Sequence, residues 1–218
     1  MESLGRAVFI SDCHLGSGPP DADRARHARL QHFLEVEGPR SDTLFLLGDL
    51  FDFWIEYRHA IPNQHFEILR RLRTLRERGL RIVYVGGNHD YWAGPFLSEV
   101  IGCEVRRAPF EETVQGRRLF LAHGDGLRAS ERGYRFMRSI LRAGWFGVLY
   151  RSLHPDWGIP LARALSRTSR STNDESRVSI PDLRREIAEP RFTAGVDAVV
   201  IGHYHHPTHL RQNGKEFL

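Results

Sequence analysis

Residues 43–52 read Thr-Leu-Phe-Leu-Leu-Gly-Asp-Leu-Phe-Asp, a strand-like apolar run followed at once by glycine and aspartate. The run has the length and composition of a buried β-strand. Gly48 lets the chain turn sharply after it and brings the backbone close to a ligand. In α/β sheets this edge is where ligand sites form, because loops from neighbouring strands converge there.

The same arrangement occurs at four more places along the chain. Strand-like runs at 7–11, 81–86, 118–122 and 196–201 are each followed by a motif containing His, Asp or Asn. Helical periodicity lies between the early runs, at 22–37 and 63–78, and Gly79 is expected to end the second helix. Strands that alternate with helices indicate an α/β layered fold, and a hairpin turn at 114–117 would make part of the sheet antiparallel.

Seven side chains in these motifs offer atoms that bind transition metals. They are Asp12, His14, Asp49, Asn88, His123, His203 and His205. Imidazole together with carboxylate suits Mn, Fe, Zn or Co better than Mg or Ca. Seven ligands are too many for one tetrahedral ion and suit two octahedral ions, which a carboxylate such as Asp49 can bridge. One histidine alone is more often structural, but five motifs in this order favour a metal site.

Length and composition exclude several classes of protein. The chain has 218 residues, which favours one large domain or one domain with an insertion. Hydrophobic residues make up 41% and charged residues 27%, which argues against wholesale disorder. No apolar run approaches the ~20 residues of a membrane-spanning helix, and two cysteines make no disulfide scaffold. The N-terminus lacks a signal-peptide pattern, so we expect a cytoplasmic protein.

The segment 128–178 interrupts the strand pattern and carries the excess positive charge. Nine arginines and two acids lie between positions 128 and 170, a net charge of +7 in a chain whose total is +4. The segment indicates helices, with Tyr134, Met137 and Leu141 on one face of the first helix and arginines on another. We therefore expect one domain, 1–218, with a helical insertion at about 128–178. Its charge predicts a local anionic partner, and a solvated basic face is the alternative.

Together the five motifs resemble those of the calcineurin-like metallophosphoesterase superfamily. They are Asp12-Cys13-His14, Gly48-Asp49-Leu50-Phe51-Asp52, Gly87-Asn88-His89-Asp90, His123-Gly124-Asp125 and Gly202-His203-Tyr204-His205. The resemblance covers nearly the whole chain and implies a four-layer αββα sandwich with a dinuclear metal centre. It also implies further strands after Leu218.

The resemblance also assigns roles to these residues. It implies one metal held by Asp12, His14, Asp49 and His205, and another held by Asp49, Asn88, His123 and His203. His89 would be a catalytic histidine that is not a ligand, with Asp52 as its carboxylate partner. Asn88 would help His89 to neutralise charge on the phosphoryl group, and Asp125 would support the loop around His123.

Within the superfamily, the block at 48–54 and the insertion after His123 are most similar to the UDP-2,3-diacylglucosamine pyrophosphatases of lipid A biosynthesis. That branch implies hydrolysis of UDP-2,3-diacylglucosamine to lipid X and UMP by a hydroxide that bridges two divalent transition metals, expected to be Mn. The insertion would be a lid over the acyl chains. From its residues, Trp145, Phe146, Leu149 and Tyr150 would line an apolar channel, and packing of the lid onto the body is the alternative. Substrate contacts are expected from Arg128, Glu131, Tyr134, Ser169 and Arg170.

Other functions stay open at this point, because the best-known members of the branch carry Arg where this chain has His89 and Glu where it has Asp52. The alternatives are a phosphodiesterase or pyrophosphatase acting on a soluble nucleotide, a nuclease, and a non-enzymatic interaction domain. Aromatic helices suit acyl chains better than bases, so nucleic acid is not the expected partner, and no protein partner is implied. A basic amphipathic insertion predicts peripheral attachment to the inner membrane.

Overall fold

Two β-sheets form the centre of the computed structural model, which describes residues 5–161 and 178–218. The first sheet is parallel and has the order β1 (Ala7–Ile10), β2 (Thr43–Leu47), β3 (Arg81–Val85) and β4 (Glu104–Arg106). The second contains β5 (Phe110–Val114), β6 (Arg117–Ala122), β7 (Ala198–Ile201), β8 (Leu210–Gln212) and β9 (Lys215–Phe217). Its order is β5-β6-β7-β9-β8, with β6, β7 and β9 parallel and the two outer strands antiparallel to their neighbours.

Helices connect the strands and cover the outer faces. They are α1 (Pro20–Glu37), α2 (Phe66–Glu77), α3 (Arg132–Leu141), α4 (Gly144–Arg151), α5 (Ile180–Leu183) and α6 (Glu189–Thr193). Two π-helical turns, Phe96–Ile101 and Arg184–Ala188, lie before β4 and between α5 and α6. Residues 155–161 are also helical. No helix among the described residues is long and apolar enough to cross a membrane.

Side-chain alternation along the central strands produces four layers. In β2, Leu44 and Leu46 pack with α1 and α2, whereas Phe45 and Leu47 pack toward the second sheet. In β6, Leu121 faces the first sheet and Phe120 contacts the helical segment that contains Leu183 and Ile187. Successive residues of a strand point to opposite faces, so one apolar run serves two cores. The expected αββα sandwich is confirmed.

The end of α2 shows how the sequence sets the start of β3. Gly79 has a φ of 98°, and the amide of Leu80 donates to the carbonyl oxygen of Leu75 (3.1 Å). This left-handed glycine and its back-bond close the helix as expected, because glycine has no Cβ to oppose that conformation. β3 then begins two residues later, at Arg81.

The hairpin turn is also where the sequence places it. Gln115 and Gly116 have φ values of 50° and 75° and connect β5 to β6. Two successive positive φ values are typical of the turn that matches the twist of antiparallel strands.

The described part of the insertion, residues 128–161, is helical, as expected; we call it the lid. Ser169 and Arg170, which were expected to contact substrate, lie outside the described residues. The boundaries of the insertion remain a prediction.

Candidate active site

The carboxyl ends of five strands bring the predicted ligands together. β1, β2 and β3 are adjacent and parallel, so Asp12, Asp49 and Asn88 follow them at one edge of the first sheet. β6 and β7 are likewise parallel neighbours and are followed by His123 and by the motif at 202–205. Groups drawn from Asp12, His14, Asp49, His89, His123 and His205 have nitrogen or oxygen atoms within 4.8 Å of one another.

One half of the cluster contains two histidines and two carboxylates. The Nε2 atoms of His14 and His205 are 3.1 Å apart. His205 Nε2 is 3.6 Å from Asp12 Oδ1, and His14 Nε2 is 3.8 Å from Asp49 Oδ2. These four side chains are the set that the family resemblance implies for one ion.

The other half is built around an amide oxygen. Asn88 Oδ1 is 2.9 Å from His123 Nε2 and 3.1 Å from His203 Nδ1. His123 Nε2 is in turn 3.4 Å from Asp49 Oδ2. Asp49 Oδ2 therefore belongs to both halves, as a bridging carboxylate requires.

His123 is held in the tautomer that a metal ligand needs. Its Nδ1 atom is 2.9 Å from the carbonyl oxygen of Leu47, which can only accept a hydrogen bond. Nδ1 is therefore the protonated atom, and the lone pair of the neutral ring is on Nε2, facing Asn88 and Asp49. A hydrogen bond of this type to the far ring nitrogen is usual for metal-ligating histidines.

Backbone strain is concentrated at the same residues. Seven non-glycine residues of the described chain have a φ between 45° and 74°. Two of them, Gln115 and Asn213, lie in hairpin turns; the others are Asp12, His14, Asp49, His203 and His205. This conformation costs roughly 1–2 kcal/mol per non-glycine residue, and such strain clusters at functional sites.

Glycines make room for the ligands. A Cβ atom on Gly87 would lie 2.1 Å from Asp49 Oδ1, and one on Gly202 would lie 2.4 Å from Asp12 Oδ2. Only a residue without a side chain lets the backbone approach the carboxylates this closely.

Burial keeps two of the histidines in the neutral form that binds metals. Burial lowers the pKa of His14 and of His203 to about 4, so both rings are neutral near pH 7. Burial opposes ionisation of Asp49, but the histidines at 123, 89 and 14 outweigh it and hold its pKa well below the usual range. The same pairing outweighs burial at His123 and raises the pKa of that ring. His123 must therefore lose a proton before it binds a metal.

The donor set fits two divalent ions. It combines imidazole nitrogen, carboxylate oxygen and one amide oxygen in two groups that share Asp49. Neutral imidazole with carboxylate suits first-row transition metals.

His89 lies beside the cluster. Its backbone amide donates to Asp49 Oδ1 (2.9 Å), and its Nε2 is 3.9 Å from Asp49 Oδ2. Its Nδ1 is 2.9 Å from the carbonyl oxygen of Asp52, whereas the nearest carboxylate oxygen of Asp52 is 3.9 Å away. The hydrogen bond that orients His89 thus goes to the main chain of Asp52, whereas the sequence led us to expect its carboxylate.

A buried carboxylate ties two of the ligand loops together. Asp90 is fully buried and accepts hydrogen bonds from the amides of Leu50 and Gly87, each 2.8 Å, and from the hydroxyl of Tyr84 (2.5 Å). Burial, together with the charge of Asp49, raises its pKa to about 6. Asp90 thus caps the turn at Gly87 and joins it to the loop of Leu50.

Asp125 connects the loop of His123 to the lid. Its Oδ2 atom accepts from Tyr134 Oη (3.3 Å), Arg138 Nη1 (2.9 Å) and Arg142 Nη2 (2.8 Å). These residues are four apart, so they share one face of α3 and its C-terminal cap. Burial alone would raise the pKa of Asp125, but His123 and the two arginines outweigh burial and lower it. The sequence did not indicate these contacts with Asp125, because it placed the arginines on a different face of the helix from Tyr134.

Two of the residues expected to contact substrate have partners within the protein. Arg128 Nη2 donates to Glu186 Oε1 (3.2 Å), and Glu131 Oε1 accepts from the hydroxyl of Tyr204 (3.2 Å). Tyr134 also has a partner, Asp125, and it lines a pocket next to Asn88.

That pocket has a volume of about 410 Å³ and lies between the lid and the sheets. Its polar lining consists of Asn88, His89, Tyr134, Arg138 and Arg142, and its apolar lining of Phe53, Ile55, Tyr91, Trp92, Met137, Leu141, Phe146 and Tyr150. Of the lid residues expected to line a channel, Phe146 and Tyr150 line this pocket. Trp145 and Leu149 are each 61% exposed and do not line it.

Comparison with known proteins agrees with this geometry. A family model described as calcineurin-like phosphoesterase matches residues 5–207. A protein of Nitrosococcus oceani named UDP-2,3-diacylglucosamine hydrolase is 32% identical over 91% of this chain and 78% of its own length. Proteins of the same name from Stutzerimonas stutzeri (33% identity, 92% and 82%) and Porphyromonas gingivalis (31%, 79% and 66%) are also similar. The chain belongs to the calcineurin-like phosphoesterase family and is a metal-dependent hydrolase.

Proposed function

We propose that the protein hydrolyses the pyrophosphate bond of UDP-2,3-diacylglucosamine and releases lipid X and UMP. The observation that carries this proposal is the pocket between lid and sheets, which is polar beside Asn88 and His89 and otherwise apolar. A diacyl glycolipid joined to a diphosphate has the same division into a charged end and an apolar end. The names of the relatives support the same substrate.

We further propose two Mn ions in the cluster. Asp12, His14, Asp49 and His205 would hold one, and Asp49, Asn88, His123 and His203 the other. Bound ions would supply a water that ionises near neutral pH and would neutralise charge on the phosphoryl oxygens.

His89 would supply the proton that the leaving oxygen needs. Because Nδ1 donates to the carbonyl of Asp52, the exchangeable proton of a charged ring is on Nε2. Nε2 is on the side of Asp49, where the reacting phosphorus would lie. General acid catalysis by His89 would therefore need no rotation of the ring.

Fixed positive charge would hold the diphosphate. Arg138 and Arg142 share the single carboxylate of Asp125, so this end of the pocket keeps one unit of positive charge near pH 7. Guanidinium groups bind phosphate oxygens through paired hydrogen bonds.

The lipid substrate is favoured over a soluble nucleotide or nucleic acid by the same pocket. Phe53, Ile55, Trp92 and Leu141 would give a soluble nucleotide no polar partners, whereas they remove acyl chains from water.

A membrane surface is the proposed location of the enzyme, on the cytoplasmic side of the inner membrane. The outer side of the lid exposes large apolar residues, among them Phe136, Trp145, Val148, Leu149 and Trp157. A patch of this kind beside arginines suits a bilayer with anionic lipids, from which the substrate would be drawn.

Substrate preference tests the proposal. Leu141→Asp places a charge in the apolar part of the pocket, so it should raise KM for UDP-2,3-diacylglucosamine in detergent by about tenfold or more, since one buried apolar side chain contributes about 1.5–3 kcal/mol. KM for bis(p-nitrophenyl) phosphate, which has no acyl chains, should stay the same. Leu210→Asp, an exposed residue of β8, is the control. If soluble UDP-sugars, cyclic nucleotides or DNA were cleaved faster than the lipid by the Mn-loaded wild type, the proposal would be wrong.

A further inference from the structure

One lid arginine contacts two of the loops that carry ligands of a single proposed ion. Arg142 follows the last residue of α3, and its side chain is only 16% exposed. Its Nη2 atom donates to Asp125 Oδ2 (2.8 Å) and to the carbonyl oxygen of Gly87 (3.2 Å), and its guanidinium lies 4.1 Å from the centre of the Tyr91 ring. Asp125 is two residues after His123, and Gly87 directly precedes Asn88.

The contact with Gly87 falls on a tightly packed piece of backbone. The amide of Gly87 donates to Asp90 Oδ1 (2.8 Å), and its Cα lies so close to Asp49 that even a methyl group would collide with the carboxylate. A shift of the Gly87 carbonyl would therefore move Asn88 relative to Asp49. Close-packed protein interiors transmit such shifts rather than absorb them.

We propose that Arg142 is a positioning residue through which the lid sets the distance between the Asn88 loop and the His123 loop. The proposal rests on the ligand roles proposed above for Asn88 and His123, but not on the identity of the substrate. The lid would thus complete the metal centre in addition to covering a substrate.

Other contacts hold the lid in place, so loss of Arg142 should not release it. Arg138 donates to both the carboxylate and the carbonyl oxygen of Asp125 (2.9 and 2.5 Å). Arg151 donates through Nε to the carbonyl oxygen of Glu56 (2.9 Å) and lies over the ring of Trp92 (5.4 Å). The contribution that distinguishes Arg142 from these two is its bond to Gly87.

Arg151 provides a matched control for the experiment. Like Arg142, it joins the lid to a main-chain carbonyl and to an aromatic ring, here that of Trp92, the residue after Tyr91. Its carbonyl partner, Glu56, is not in a ligand loop. Arg142→Ala, Arg142→Lys and Arg151→Ala would be compared with the wild type, with thermal unfolding to verify that each variant is folded. Arg142→Lys keeps a positive charge at this position and replaces the alanine variant if that one fails to fold.

Metal binding is the first measurement, by calorimetric titration of Mn²⁺ into the metal-free proteins. Loss of a residue that orients ligands typically weakens metal binding or activity by about 10–100-fold. Arg142→Ala should weaken one of the two binding events by that factor, and Arg142→Lys by less, since one ammonium cannot reproduce the guanidinium fork. Arg151→Ala should leave both binding events unchanged.

Turnover of bis(p-nitrophenyl) phosphate at saturating Mn²⁺ is the second measurement. Here kcat should fall for Arg142→Ala and not for Arg151→Ala, and millimolar guanidinium should restore part of the loss, because Arg142 lines the open pocket. Equal effects of the two alanine variants, or an Arg142 effect confined to KM for the diacyl substrate, would overturn the proposal. Failure of the wild type to cleave UDP-2,3-diacylglucosamine would refute only the proposed function.

Discussion

At the scale of single residues, the site holds the backbone in strained conformations that lower the stability of the fold. Asp12, His14 and Asp49 adopt positive φ values although glycine would do so freely, and each makes the fold less stable by roughly 1–2 kcal/mol. Glycine has no side chain with which to bind anything. The strained residues at these positions are those whose side chains enter the cluster, so the strain is the consequence of placing donor atoms on sharp turns after strands.

Two substitutions distinguish the role of a metal ligand, Asp49, from that of an acid–base residue, His89. Asp49→Asn keeps the shape but removes the charge shared by both halves of the cluster, so bound Mn should fall below two ions per chain, and turnover by more than about 100-fold. His89→Ala should retain both ions while turnover falls about 10²–10⁴-fold, the usual contribution of a general acid or base. Metal analysis with a bis(p-nitrophenyl) phosphate assay measures both effects.

Exposed His209 provides the control for this pair, since its replacement by alanine should change neither quantity. Loss of an ion from the His89 variant would show that His89 is a ligand. Full metal content in the Asp49 variant would show that Asp49 does not bridge.

The residue scale also shows what the sequence could and could not predict. Motifs at strand ends identified His123 and Asp49, because residue type and position along the chain are enough to place them. They could not show that the carbonyl oxygen of Asp52 orients His89, since every residue carries a carbonyl. Nor could they show that Arg138 and Arg142 turn inward, since that depends on the buried carboxylate of Asp125.

At the scale of helices and strands, β2 and β3 were predictable because all or nearly all of their residues are buried. β2 is apolar on both faces and is buried throughout. β8 has three residues, all exposed, so no hydrophobic pattern marks it. The helices before β7 were missed for another reason: Pro181 and Pro190 interrupt the pattern, yet each lies in the first turn of α5 or α6, where proline is tolerated.

The turn between β3 and the Asn88 loop gives a prediction at this scale. Gly87→Ala would place a methyl group 2.1 Å from Asp49 Oδ1 and 2.8 Å from the amide nitrogen of Asp49. Overpacking of this kind costs about 1–3 kcal/mol, or roughly 2–12 °C in Tm for a domain of this size. We expect the Gly87→Ala variant to show this decrease in Tm together with weaker Mn binding.

Gly144→Ala is the matched control. A Cβ at Gly144 would meet nothing within 4 Å, and its φ is not positive. Its Tm and Mn affinity should equal those of the wild type. A Gly87 variant as stable and as well loaded with metal as the Gly144 variant would contradict the argument that this turn presses on Asp49.

At the scale of the whole molecule, the lid has two sides with different partners. Its inner side supplies Tyr134, Phe146 and Tyr150 to the pocket. Its outer side exposes Trp145 and Leu149, which are each 61% exposed. Helices that are apolar on both sides belong between two apolar partners, which here would be the acyl pocket and a bilayer.

Vesicle binding tests the outer side. Trp145, Val148 and Leu149 are spaced to share one face of α4 and are 61%, 70% and 61% exposed. If that face enters the membrane interface, a Trp145→Ser/Leu149→Ser variant should bind phosphatidylglycerol vesicles at least about tenfold more weakly than the wild type. Burial of each such side chain contributes about 1.5–3 kcal/mol, and a factor of ten in affinity corresponds to about 1.4 kcal/mol. Phe66→Ser is the control, because Phe66 is 59% exposed on α2, outside the lid. The wild type, the double variant and the Phe66 variant should hydrolyse bis(p-nitrophenyl) phosphate equally, because neither Trp145 nor Leu149 lines the pocket.

The pattern of vesicle binding decides whether the lid contacts the membrane. Equal binding by all three proteins, or an equal loss in the Phe66 variant, would show that the lid does not make the contact. A loss confined to the double variant would place the mouth of the pocket at the bilayer from which the lipid comes.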